Sequence, residues 1–145
     1  MTMKILLATV PVEPTFQKES PISRSEGIFG ILPKIAIVSL ITWMEKHGYS
    51  SETYDYYDID MMLPSDEEFI EYLKEYQPTI VGLSAVVSTS YSQVKRLSRI
   101  IRDTCPDAWI VCGGTMTAIA NVLLRKTNVD LCVIGDGEIP WVEFL

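Results

Sequence analysis

The residues able to do chemistry in this chain of 145 residues fall in three short groups, each closing an apolar run. Ser84 is followed by Ser88, Thr89 and Ser90. Gly113, Gly114 and Thr115 come next, and then Gly135, Asp136, Gly137 and Glu138. Glycines at the ends of neighbouring strands leave a trough without side chains, in which a flat or elongated ligand can rest on backbone. The hydroxyls of Ser84, Thr89 and Thr115 would add donors and acceptors along it. A tight turn at each glycine is the plainer explanation for any one group. Three groups in succession favour the trough.

Other chemistry is excluded by what is missing. The three cysteines, at 105, 112 and 132, are an odd number with gaps of seven and twenty residues. That spacing fits neither a disulfide framework nor a zinc or iron–sulfur centre, and Cys112 and Cys132 read as buried, inert thiols. The single histidine, His47, sits beside Gly48 at an expected helix end and reads as a helix-terminal residue, not a metal ligand. A net charge of −7 argues against a nucleic-acid surface. The one basic cluster, Lys95, Arg96, Arg99 and Arg102, has helical spacing and reads as a solvated face.

The elements that must position these residues alternate. Apolar runs at Lys4–Thr9, Ser51–Asp55, Thr79–Ser84, Trp109–Cys112 and Leu131–Ile134 predict five strands. Helices are predicted over Pro33–His47, from Ser65 to the residue before Pro78, over Tyr91–Asp103 and Ala118–Lys126, and from near Pro140. The last is too short to bury Trp141, Phe144 and Leu145, which are expected to leave an exposed apolar patch. Ser65 and Glu68 have the spacing of a capping box. The pattern predicts an α/β fold, a five-stranded parallel sheet in the order 2-1-3-4-5 with helices on both faces. Ligands of such sheets bind at the carboxyl ends of the strands.

Those strand ends exclude several ligands. Thr9 is followed by Val10, Pro11, Val12 and Glu13, so the glycine turn of a dinucleotide site is absent. The same residues remove a flavin phosphate loop, and Gly27-x-x-Gly30 is not a Walker loop. Asp55, Asp58 and Asp60 then read as a solvated acidic turn. The segment Val10–Leu32 spans 23 residues where a strand-to-helix connection usually has two to six, which marks it as an ordered functional loop or a flap that orders on binding. No apolar stretch approaches the roughly 20 residues of a membrane span, and no cleavable leader is evident, so a soluble cytoplasmic location is expected.

The runs "PTIVGLSAVVST", "AWIVCGGTMT" and "DLCVIGDGEIP", with "ILPKIAIVSLITWMEKHGYSSETYD" before them, resemble the amino-terminal cobalamin-binding domain of cobalamin-dependent radical SAM enzymes. The order is kept along nearly the whole chain. The resemblance implies a flavodoxin-like fold with cobalamin across the strand ends and its nucleotide tail running down between strands. By position it places Ser84 and Thr89 against the tail, Gly113, Gly114 and Thr115 beside it, and Gly135, Gly137 and Glu138 on the corrin side. Thr9, Pro11 and the long loop would lie near the corrin.

The chain departs from the family at Asp136, where Glu is usual, and at Thr115-Met116, where Pro-His is frequent. It also lacks the Asp-x-His-x-x-Gly of mutase-type domains, so any cobalt would have no histidine ligand from this chain. The three cysteines cannot form the Cys-x-x-x-Cys-x-x-Cys of a [4Fe–4S] cluster. The resemblance therefore implies that residues 1–145 are one module of a longer enzyme. The cluster, S-adenosylmethionine and the catalytic barrel would belong to a downstream radical SAM domain, its partner, and the module would be inert alone. Two other readings stay open: a degenerate domain that docks or shapes substrate without cofactor, and a flavodoxin-like binder of another small ligand.

Overall fold

The computed structural model describes residues 2–11, 34–86 and 90–145. Five parallel strands form one sheet in the order β2-β1-β3-β4-β5. They are β1 (Ile5–Thr9), β2 (Tyr54–Tyr57), β3 (Ile80–Ser84), β4 (Trp109–Gly113) and β5 (Leu131–Cys132). The helices are α1 (Ile35–Lys46), α2 (Ile59–Met62), α3 (Asp66–Tyr76), α4 (Tyr91–Thr104), α5 (Ala120–Lys126) and α6 (Glu138–Phe144). The long segment Val10–Leu32, apart from its first two residues, lies outside the described residues, as does Thr89.

Strand side chains alternate between the two faces, and each face buries its own core. Leu6, Ala8, Val81, Leu83 and Ile110 pack with Phe69 and Leu73 of α3, Val94, Leu97 and Ile101 of α4, and Leu123 of α5. Ile5, Leu7, Ile80 and Val111 pack on the other face with Ile37 and Met44 of α1 and Trp141 of α6. All five residues of β1 are buried, as expected of a central strand covered on both sides.

The capping box forms as expected. Ser65 Oγ accepts from the Glu68 amide at 3.2 Å, and the Glu68 carboxylate accepts from the Ser65 amide at 2.8 Å. The helix ends at Gln77, in a left-handed conformation with φ of 55°, immediately before Pro78.

Four expectations need correction. β2 begins at Tyr54, not Ser51, because a turn with Thr53 N donating to Ser50 O comes first and Tyr54 aligns with Ile5. The helix after β4 starts as a 3₁₀ turn, Thr115–Ile119, before α5. β5 pairs over only two residues, although Val133 N still donates to Cys112 O at 2.9 Å. The acidic turn is not a solvated one. Asp55 accepts from the Tyr72 hydroxyl at 2.7 Å, Asp60 pairs with Lys34 at 2.8 Å, and Asp58 caps α2.

The basic cluster is likewise divided. Arg96 pairs with Asp66, and Arg102 donates to the carbonyls of Pro106 and Ala108 and to Asp130. Lys95 and Arg99 line a shallow groove with Arg125 and Lys126 on the α4–α5 face.

Candidate functional site

At the carboxyl ends of β3, β4 and β5 a cavity of about 210 Å³ opens between the sheet and helices α1 and α6. Its inner wall is apolar, made by Leu7, Ile37, Leu40, Val111, Val133 and Trp141. Its mouth carries Ser84, Gly113, Gly114, Gly135, Asp136, Gly137 and Glu138. Six expected site residues therefore meet in one place: Ser84, Gly113, Gly114, Gly135, Gly137 and Glu138.

The glycines do different work there. Gly113 pairs with Ser84 at the last rung of the β3–β4 ladder, and a β-carbon on it would meet nothing within 4 Å. Gly135 is equally open and has φ of 85°. Gly114 is not open at all. Its φ is 95°, and a β-carbon there would sit 2.4 Å from the carbonyl oxygen of Ala85. The Ala85 amide donates to Gly113 O at 2.9 Å, and Ala85 O accepts from the Met116 amide at 3.1 Å. Gly114 thus holds the β3 and β4 ends together by close backbone contact, while Gly113 and Gly135 leave space.

Ser84 is half-buried at the mouth, and its hydroxyl makes no hydrogen bond among the described residues. Glu138, in the first turn of α6, accepts from Ser39 Oγ of α1 at 2.5 Å. That hydroxyl, and then the backbone amides of Glu138 and Gly137, hold its carboxyl below the usual carboxylate range. The pair clasps the two helices that frame the cavity.

Trp141 lines the cavity, and sequence reasoning missed it. Its short helix gave no sign of a covering surface, and an exposed apolar end was expected. Instead Trp141 is buried against the sheet over Gly82 of β3. Its Nε1–H donates to Met44 Sδ at 3.1 Å, so the indole offers the cavity only carbon. The available signal was a glycine in the middle of a central strand, which often marks close approach by another group.

Other expected residues lie elsewhere. Thr9 is buried, and its hydroxyl donates to Asp58 Oδ1 at 2.7 Å and accepts from the Asp60 amide at 3.0 Å. Thr115 is exposed and its hydroxyl donates to Val86 O, on the far side of Gly114. Pro11 is buried just past the end of β1 and is not part of the cavity wall. His47 caps the C-terminal end of α1, about two turns beyond Leu40, exposed, with Nδ1 2.8 Å from Trp43 O.

The cysteines are all free thiols, and no group of metal-ligating residues occurs among the described residues. Burial, with Cys132 as the smaller cause, pushes the Cys112 thiol up to about 12, which makes it inert at neutral pH. Cys132 is only half-buried, less covered than expected. No helix among the described residues is long and apolar enough to cross a membrane.

A flavodoxin-like sheet whose strand ends open, through glycines, onto an apolar cavity between its first and last helices defines a ligand-holding domain. The B12 binding domain profile matches residues 27–145, and the chain belongs to that family. It is 28% identical over 120 residues to the cytidylyl-2-hydroxyethylphosphonate methyltransferase of Streptomyces wedmorensis, covering 70% of this chain and 22% of that protein. It is 31% identical over 115 residues to the anaerobic magnesium-protoporphyrin IX monomethyl ester cyclase of Cereibacter sphaeroides, covering 77% and 18%. The chain thus spans about a fifth of the length of these curated relatives. Among solved structures, a cobalamin-binding protein from Desulfitobacterium hafniense DCB-2 superimposes with a TM-score of 0.63 at 18% identity, over 99% of this chain and 60% of that one. That likeness bears on the fold.

Proposed function

We propose that this domain holds cobalamin across the carboxyl ends of its strands, with the nucleotide tail entering the cavity between the sheet and helices α1 and α6. Membership of the B12-binding family supports the ligand class. The observation that carries the placement is the open backbone at Gly113 and Gly135, where a β-carbon would meet nothing, above an apolar interior. That arrangement fits a large ligand whose buried end is flat and apolar.

Each residue of the chain has a distinct task in this reading. Ser84 offers its uncommitted hydroxyl to the tail at the mouth. Gly113 and Gly135 let the ligand approach backbone, and Gly114 keeps the β3 and β4 ends in register. Glu138 and Ser39 fix α6 to α1 and so set the cavity's width. By the family resemblance Thr89, outside the described residues, would meet the tail, Thr115 would flank it and Pro11 would lie toward the corrin. The Thr9 hydroxyl is already committed to Asp58 and the Asp60 amide.

Bound cobalamin would supply a carrier for a methyl group or a source of radical chemistry. The residues of this chain bind and orient the cofactor and shield one face of it. With His47 at the far end of α1, the cobalt would take no imidazole ligand from these residues. The reaction itself is assigned to a radical SAM domain of a longer enzyme, with its [4Fe–4S] cluster and S-adenosylmethionine. The methyltransferase and cyclase names of the two relatives, each far longer than this chain, support that setting.

The test is optical. The chain is mixed with hydroxocobalamin and desalted, and the visible spectrum is recorded. Retained corrin absorbance at one equivalent is expected; a colourless protein fraction would sink the proposal.

A further inference from the structure

We infer that this domain discriminates among corrinoids by the base at the end of the nucleotide tail. It accepts a benzimidazole-type base and disfavours a purine, with Trp141 as the residue that sets the preference. The inference rests on the cobalamin reading above and adds the chemistry of the cavity's inner end.

That inner end has no polar side-chain group to spare. The Trp141 Nε1–H is committed to Met44 Sδ, so the indole shows only its carbon face and edge. The backbone of Leu7 and Val111 belongs to the β1–β3 and β3–β4 ladders. Val133, opposite, donates its amide to Cys112 O at 2.9 Å. The remaining wall residues, Ile37 and Leu40, are aliphatic. The polar side chains among the lining residues, Ser84, Asp136 and Glu138, stand with the glycines at the mouth.

A dimethylbenzimidazole presents methyl groups and ring carbons to such a wall, and its burial is favourable throughout. Adenine brings an exocyclic amine and further ring nitrogens to the same depth. There they leave water without finding a partner, which is the unfavourable case for any buried polar group. A site of this kind separates two bases by roughly ten- to a hundred-fold in affinity.

Gly82 is what makes the wall possible. A β-carbon on it would stand 3.0 Å from both Leu7 Cδ2 and Trp141 Cη2. Its absence lets the indole lie directly on the sheet and close the inner end with carbon. Were the wall built by a smaller residue, water could enter and solvate a purine edge.

The experiment titrates the 145-residue chain with three corrinoids: cobalamin, its adenine-bearing counterpart, and cobinamide, which has no base. Retention after desalting and dissociation constants from the visible spectrum are the readouts. Tight binding of cobalamin, about tenfold or more weaker binding of the adenine form and weaker binding still of cobinamide are expected. Equal affinity for the two bases, with cobinamide weaker, would overturn the preference while leaving the tail in the cavity. Cobinamide equal to cobalamin would overturn it by showing that the base does not enter. Failure to retain any of the three would overturn the cobalamin reading itself. Val133→Thr keeps the wall's shape and adds one hydroxyl, so it is expected to narrow the ratio severalfold, with folding checked by circular dichroism. Trp141→Phe removes the Nε1–H and the larger ring and is expected to narrow it as well. An unchanged ratio in both variants would overturn the role assigned to this wall.

Discussion

Trp141 of the last helix lies over the missing side chain of Gly82 in the middle of the central strand β3, and a β-carbon at 82 would come within 3.0 Å of the indole. Gly82→Ala therefore forces Leu7 or Trp141 to move in a core where neither has room. Overpacking of this kind costs about 1–3 kcal/mol, more than alanine's better strand propensity returns. Urea unfolding is expected to show the loss, and cobalamin affinity to fall with it. Unchanged stability would mean that α6 is free to shift outward.

Gly113 and Gly114 separate two kinds of glycine by experiment. Gly114→Ala places a side chain against the Ala85 carbonyl in a backbone conformation that L-residues avoid, and a loss of at least about 3 kcal/mol is expected. Gly113→Val has open space, so stability should change by less than about 0.5 kcal/mol. Its cobalamin affinity should nonetheless drop about tenfold or more, because the side chain occupies the ligand's place. Retained affinity in a folded Gly113→Val protein would move the ligand off this strand end.

Thr9 tests the boundary between fold and site. Its hydroxyl ties β1 to Asp58 and to the Asp60 amide, so Thr9→Val is expected to cost about 1–3 kcal/mol in unfolding free energy. Any effect on cobalamin affinity should be smaller than that of Gly113→Val. A stability-neutral variant with lost binding would instead put Thr9 on the ligand.

The Glu138–Ser39 clasp has a pH signature. The carboxyl of Glu138 is held below its ordinary range in the folded state, so its stabilising contribution is complete above the unfolded value near 4.3. It is lost as pH falls through the lower, folded value. The group is partly exposed, which limits the effect to less than about 1 kcal/mol. Comparison of Ser39→Ala with the parent by thermal melting is expected to show a small difference at pH 7 that shrinks as pH falls below the ordinary carboxylate range. A difference that persists in acid would point to packing at Ser39 instead of the hydrogen bond.

Sheet order and helix placement were readable because hydrophobic periodicity and the Ser65–Glu68 cap are local signals. The start of β2 was not, because Tyr54 is chosen by its alignment with Ile5, far away in sequence. The strand-end glycines come together at the mouth of the cavity, and six expected residues line it. What separates Gly113 from Gly114 is a contact with Ala85, which adjacent identical residues cannot reveal. Thr9 reads as a strand-end hydroxyl until β2 brings Asp58 beside it. Trp141 reads as an exposed end until the gap at Gly82 is known to face it.

The two-residue length of β5 gives the cavity an unequal set of walls. β3 and β4 share five aligned pairs and are anchored on both faces, whereas Leu131 and Cys132 alone align with β4. The strand edge at β5 is therefore the part of the rim held by the fewest ladder pairs. In the cobalamin reading, a tail wider than the mouth would enter at this edge of the sheet, beside the Trp141–Met44 and Glu138–Ser39 contacts. In kinetic terms, the cobalamin reading predicts that release of the tail follows how often that short edge comes away.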